Sequence, residues 1–138
     1  MSSVVVLERL SKATDPKKAL LKEVGDLSGI DIIGNRVLVA LYIAPEKTRG
    51  GLYRPTSQLK EDVYQGCVGL VLKKGKIAFV DDPNVNLNFH GQDAQEGDWV
   101  VFRPGDGKRI QLNEVDCRFI EDTLIDMVIS DPEIVTHR

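Results

Sequence analysis

From Arg36 to Ile43 every second residue is apolar on both counts: Val37, Val39, Leu41 and Ile43 share one face of an extended chain, and Leu38, Ala40 and Tyr42 share the other. Side chains alternate across a strand, so this run predicts a strand buried on both sides, at an interface or between layers. Further strands are predicted over Gly66 to Leu72, Trp99 to Phe102, Arg109 to Leu112, Arg118 to Ile120 and Ile125 to Ile129. Their separators carry turn chemistry at Lys74-Gly75-Lys76, Glu96-Gly97-Asp98 and Pro104-Gly105-Asp106-Gly107, the last placed to close a hairpin between the Trp99 and Arg109 strands. Many short strands with closely spaced turns predict a small all-β barrel or sandwich.

Residues 1–29 break this rhythm. After a short apolar start, Asp15 is placed to cap a helix, Pro16 suits its first position and Gly25 its end. A helix of two to three turns is marginal alone, so Leu20, Leu21 and Val24 must dock on something or the helix frays. The chain therefore divides into a helical N-terminal extension over 1–29 and a β domain over 30–138.

Two polar stretches stand out. Phe79 to Gln95 alternates Asn84, Asn86 and Asn88 with Val85, Leu87 and Phe89, the pattern of a half-buried strand or hairpin arm with its polar face outward. Gly50 to Gly66 is longer than a connection between strands requires, the median being about 4 to 6 residues. Its Pro55, Thr56, Ser57, Gln58, Lys60, Glu61 and Asp62 bury too little apolar area to fold alone, which marks it as the functional segment.

Composition narrows the chemistry. The 138 residues suit one domain, and a net charge of −3 leaves no electrostatic footprint for nucleic acid. The short cluster Lys73-Lys74-Gly75-Lys76 reads as a solvated turn, and no apolar run is long enough to span a membrane. Cys67 and Cys117 lie in apolar stretches and read as reduced, structural thiols, the usual state in the cytoplasm. Asp82-x-Asn84-x-Asn86 begins like a calcium loop, but Leu87 and Asp93 occupy the positions that need glycine and glutamate. Cys67, Cys117, His90 and His137 are too scattered for zinc, and neither histidine sits in a nucleophile–base pattern. No enzyme, metal or cofactor is expected.

Taken in order, several motifs resemble the small bacterial co-chaperonins of the GroES family over about residues 30–135. Gly34-Asn-Arg-Val-Leu-Val is similar to that family's opening strand, and Lys47-Thr-Arg-Gly-Gly-Leu to the start of its mobile loop. Tyr64-Gln-Gly-Cys-Val-Gly-Leu-Val resembles the strand after the loop. Glu96-Gly-Asp-Trp-Val-Val-Phe resembles the most specific motif of the set, and Ile125 to Ile129 stands where the closing strand belongs. The resemblance implies a small irregular β-barrel with a long mobile loop, a roof hairpin over Phe79 to Gln95, and a seven-membered ring. In that family the first and last strands pair between subunits, which points to Val37, Val39, Leu41, Ile125, Met127 and Ile129 as interface residues. It also implies a cytoplasmic chaperone docking on an ATP-bound chaperonin ring through Gly50, Gly51, Leu52, Tyr53 and Arg54.

The family's docking tripeptide is three aliphatics, whereas here Leu52 is followed by Tyr53 and Arg54. Arg54 would bury a charge unless the partner supplies a carboxylate. That charge and the extra arm favour an alternative use of the same barrel, a structural or assembly protein such as a phage capsid decoration protein in a virion, gripping a capsid protein.

Overall fold

The computed structural model describes residues 3–43 and 66–135. The docking residues Gly50, Gly51, Leu52, Tyr53 and Arg54 lie outside the described residues, as does His137.

The described residues form one antiparallel sheet of six strands in the order β4-β5-β1-β2-β3-β6. In chain order these are β1 (Arg36–Leu41), β2 (Val68–Lys74), β3 (Trp99–Phe102), β4 (Lys108–Leu112), β5 (Val115–Glu121) and β6 (Ile125–Ile129). The architecture is mostly β, as the short strands and close turns predict. β1 pairs with β5 along one edge and with β2 along the other, with a register shift between Leu38 and Val39. Its two apolar faces feed two cores. Val37, Val39 and Leu41 pack with Val71, Val100, Phe102 and Ile120. Leu38, Ala40 and Tyr42 pack with Leu70, Trp99, Val115 and Cys117 on the opposite face.

The second of these cores is completed by the N-terminal arm. Helix α1 (Ser3–Ser11) contributes Val6, Leu7 and Leu10, and helix α2 (Pro16–Val24) contributes Leu20 and Val24. The sequence reading gives only a short apolar start at α1, and a run of valines is a poor helix former. Val6, Leu7 and Leu10 nevertheless fall on one helical face, and docking on the sheet outweighs local propensity. In α2 the Asp15 carboxylate accepts from the Lys18 N–H at 3.2 Å, and the Gly25 N–H returns to the Leu21 carbonyl. Leu20 and Val24 are buried as expected, but Leu21 is exposed: one residue along a helix turns about 100°, away from the sheet. Arg9 of α1 donates twice to the Glu23 carboxylate of α2, at 2.8 and 2.7 Å, and holds that carboxylate below its usual range chiefly by this hydrogen bond.

Pro104 to Gly107 does not close a hairpin, because β3 spends its two edges on β2 and β6, and β4 pairs with β5 instead. The tight hairpin is one strand later, between β4 and β5, where Asn113 and Glu114 both adopt positive φ (50° and 66°). Such a two-residue turn matches the strand twist.

Phe79 to Gln95 is not a strand either. It holds a 3-10 turn over Pro83–Val85, positive φ at Phe79, Asn86 and His90, and one isolated bridge in which Asp82 and Leu87 exchange two 2.9 Å bonds. Polar side chains of the stretch bond its own backbone: Asp82 accepts from Asn84 N–H, Asn88 from His90 N–H, and Asp81 from Phe89 N–H. Local side-chain acceptors compete with a sheet ladder, and here they win.

Candidate functional site

The segment expected to bind a partner leaves the described fold after Ile43 and rejoins it at Gly66. Its two roots are neighbours. Leu41 pairs with Gly69 across β1 and β2, and the Tyr42 N–H donates to the Val68 carbonyl at 2.9 Å. Gly69 is required at this point, since a Cβ there would come within 2.9 Å of both Val39 Cβ and Cγ2. Two adjacent antiparallel strands need only two to five residues to join them. Residues 44–65 are therefore far longer than the connection demands.

The roots are rigidly set. Tyr42 meets the edge of Trp99 with ring centroids 5.5 Å apart, Ile43 and Cys67 are buried in the same core, and the Phe102 N–H donates to the Cys67 carbonyl at 2.9 Å. Trp99 itself is buried, as its strand position predicts.

Of the residues assigned to subunit contacts, the structure brings Ile125, Met127 and Ile129 together on β6. Among the described residues this strand pairs with β3 alone and ends the sheet. Met127 and its neighbour Val128 are about half exposed, at 52% and 50%, while Ile125 and Ile129 are partly buried. Val37, Val39 and Leu41 are placed elsewhere, in the chain's own interior and on a strand paired along both edges. Both apolar faces of β1 are matched within one chain, each by its own core.

Two charged residues that the sequence reading passed over organise the fold behind these surfaces. Asp122 is buried at the end of β5. Its carboxylate accepts from Asn35 Nδ2 at 3.0 Å, Phe79 N–H at 2.9 Å and Thr123 N–H at 2.7 Å. It joins the entrance of β1, the start of the 79–95 stretch and the entrance of β6. Arg118 is fully buried in β5. Its Nη1 donates to the carbonyls of Pro104 and Asp106, and its guanidinium lies 5.8 Å from the Phe102 ring centre. Burial, more than any neighbouring charge, pulls its pKa down. Period two foretold this position, since Arg118 shares a face with the core residue Ile120; the charge obscured it.

Two lysines of the 73–76 turn contact the fold. Lys73 Nζ donates to the Ile30 carbonyl at 2.5 Å, and Lys74 Nζ lies 3.9 Å from Asp93 and 5.7 Å from the Phe79 ring centre. Burial pushes the Cys117 thiol up to about 12, so it stays protonated and a poor nucleophile at neutral pH. Among the described residues no group of three or more His, Cys, Asp or Glu is arranged to hold a metal ion, and no helix is long and apolar enough to cross a membrane. Among the described residues the geometry is that of a packed six-stranded sheet, with a long connection between two adjacent strands and β6 at one edge.

No curated protein matches the chain. The sequence profile of the Chaperonin 10 Kd subunit family matches residues 29–129, beginning where the helical arm ends, and the chain belongs to that family.

Proposed function

We propose that this member of the Chaperonin 10 Kd subunit family is an oligomeric lid, a ring of copies that closes an ATP-bound chaperonin ring during protein folding. The observation that carries this reading is the connection between β1 and β2: its roots are hydrogen-bonded neighbours, yet it runs over residues 44–65 and contains Gly50-Gly51-Leu52. Gly50 and Gly51 allow the backbone shapes a docking edge needs, Leu52 fills an apolar groove, Tyr53 covers it, and Arg54 meets a carboxylate of the partner. Burying Leu52 contributes roughly 1.5–3 kcal/mol, much of it offset by ordering the segment. A single contact of that size is weak, and a ring of identical contacts makes it useful through avidity.

Contacts between copies are assigned to β6, with Met127 at the centre and Ile125 and Ile129 at its sides, in a heptamer. Val37, Val39 and Leu41 serve this edge indirectly, as the core behind the sheet. The protein itself needs no cofactor; the nucleotide belongs to the chaperonin.

Co-sedimentation with a bacterial chaperonin double ring tests the reading, with ATP, with ADP and without nucleotide. Nucleotide-dependent binding is expected, abolished by Leu52→Asp with the oligomer intact. Unchanged binding of that variant removes Leu52 from the site. No binding in any nucleotide state, with a monomer or trimer in solution, favours a capsid-type assembly role instead.

A further inference from the structure

The arm lies outside the family match, yet it is built into the core that seats the roots of the 44–65 connection. α2 crosses this face of the sheet. Near its start, Lys17 Nζ lies 3.9 Å from where a Cβ on Gly97 would stand, in the turn before β3. At its end, Asn113 Nδ2 donates to the Val24 carbonyl at 2.5 Å, satisfying a helix-end acceptor that has no partner within the helix. Asn113 belongs to the β4–β5 turn. The pairing of Ala40 with Cys117 and of Leu112 with Val115 carries that turn alongside the end of β1, where Tyr42 and Ile43 begin the connection. Core sharing and the Asn113 clasp are separate observations, and both tie the arm to the same place.

We infer that the helical arm is a strap that fixes the anchor of the 44–65 connection, so that α2 and Asn113 position the docking segment without touching the partner. This rests on the lid reading above, as far as docking is concerned. With the strap seated, Tyr42, Ile43, Cys67 and Trp99 stay packed and the two roots keep one direction of departure. With it loosened, the segment loses a fixed origin and docking carries a larger ordering cost.

Asn113→Gly isolates the clasp, because glycine keeps the positive φ of the turn and removes only the amide. Leu20→Asp unseats α2 altogether. The full-length variants are compared with the unmodified protein by emission of Trp99, the single tryptophan, by labelling of Cys67 and Cys117 with a thiol reagent, and by co-sedimentation with the chaperonin in ATP. Asn113→Gly is expected to keep far-ultraviolet dichroism and oligomeric state. It should also shift Trp99 emission to the red, speed thiol labelling several-fold and weaken docking by roughly tenfold, the scale of one lost hydrogen bond. Unchanged emission and labelling in Asn113→Gly would overturn the strap. An altered anchor with undiminished docking would overturn its link to the partner. If the unmodified protein does not dock at all, the lid reading fails, and emission and labelling still decide whether the arm holds the anchor.

Discussion

Replacing Asp122 by alanine is the sharpest test of how the barrel is held together. Asp122 is buried and accepts from three donors, two of them distant in sequence: Asn35 Nδ2 and the Phe79 N–H. A hydrogen bond to a charged acceptor contributes about 1.5–3 kcal/mol, and a donor stranded without one keeps its desolvation cost. Thr123 adjoins Asp122 in sequence, and its N–H at the strand junction regains water most easily, so the two long-range bonds dominate. Allowing for their shared acceptor, Asp122→Ala should cost about 3–5 kcal/mol. At roughly 3–5 °C per kcal/mol for a chain of this size, the melting temperature falls by about 10–20 °C. Denaturant titration by circular dichroism measures the first quantity and a thermal scan the second. Amide exchange adds a local readout, since Phe79, held at φ 61°, should exchange far faster in the variant. Asp122→Asn retains an acceptor oxygen and should lose about half as much. A loss under about 1 kcal/mol for Asp122→Ala, with Phe79 still protected, would refute the idea that this carboxylate joins β1, the 79–95 stretch and β6.

Three other outcomes follow from the packing. Trp99→Ala removes a buried ring edge-on to Tyr42 and should cost about 3–5 kcal/mol, read as a lower unfolding midpoint in urea. Gly75→Ala would set a Cβ 1.9 Å from the Gly34 carbonyl oxygen, so its destabilisation should reach or exceed the roughly 1–3 kcal/mol of ordinary overpacking, with the β2 end displaced in proton chemical shifts. The Cys117 thiol has its pKa raised from 9.0 to about 12 on folding, so between those values the native state holds a proton that the unfolded chain has released. Stability is then fully present below about pH 9 and falls as pH rises towards 12, by at most about 1.4 kcal/mol per unit from this group. Denaturation curves at successive alkaline pH values should show that slope in the native protein and a shallower one in Cys117→Ala.

Local chemistry made much of the fold legible before any coordinates. The double-faced alternation of β1, the short apolar runs of β2, β3 and β6, and the Asp15–Pro16 start and Gly25 stop of α2 are each specified by neighbours within a few residues. The ordered motifs pointed to the family whose profile matches residues 29–129. The docking segment also stood out by length and composition, although its residues Gly50 to Arg54 lie outside the described part.

What the sequence left open involves choices made at a distance. Pro104 to Gly107 has the residues of a hairpin turn, but whether β3 meets β4 depends on which strands share its buried faces, and β2 and β6 take both edges. Asn84, Asn86 and Asn88 have the spacing of a strand face, but without a neighbouring strand the side chains of Asp81, Asp82 and Asn88 accept from the local backbone. The valines of α1 become helical because a sheet face is there to receive Val6, Leu7 and Leu10. Arg118 and Asp122 enter the interior because acceptors and donors far along the chain are brought to them. Backbone preference and side-chain period act over one turn or one pleat, so they determine the elements. Strand order, the arm's seat and the buried charges follow from matching apolar faces and polar partners across the whole chain, and only the tertiary structure decides those.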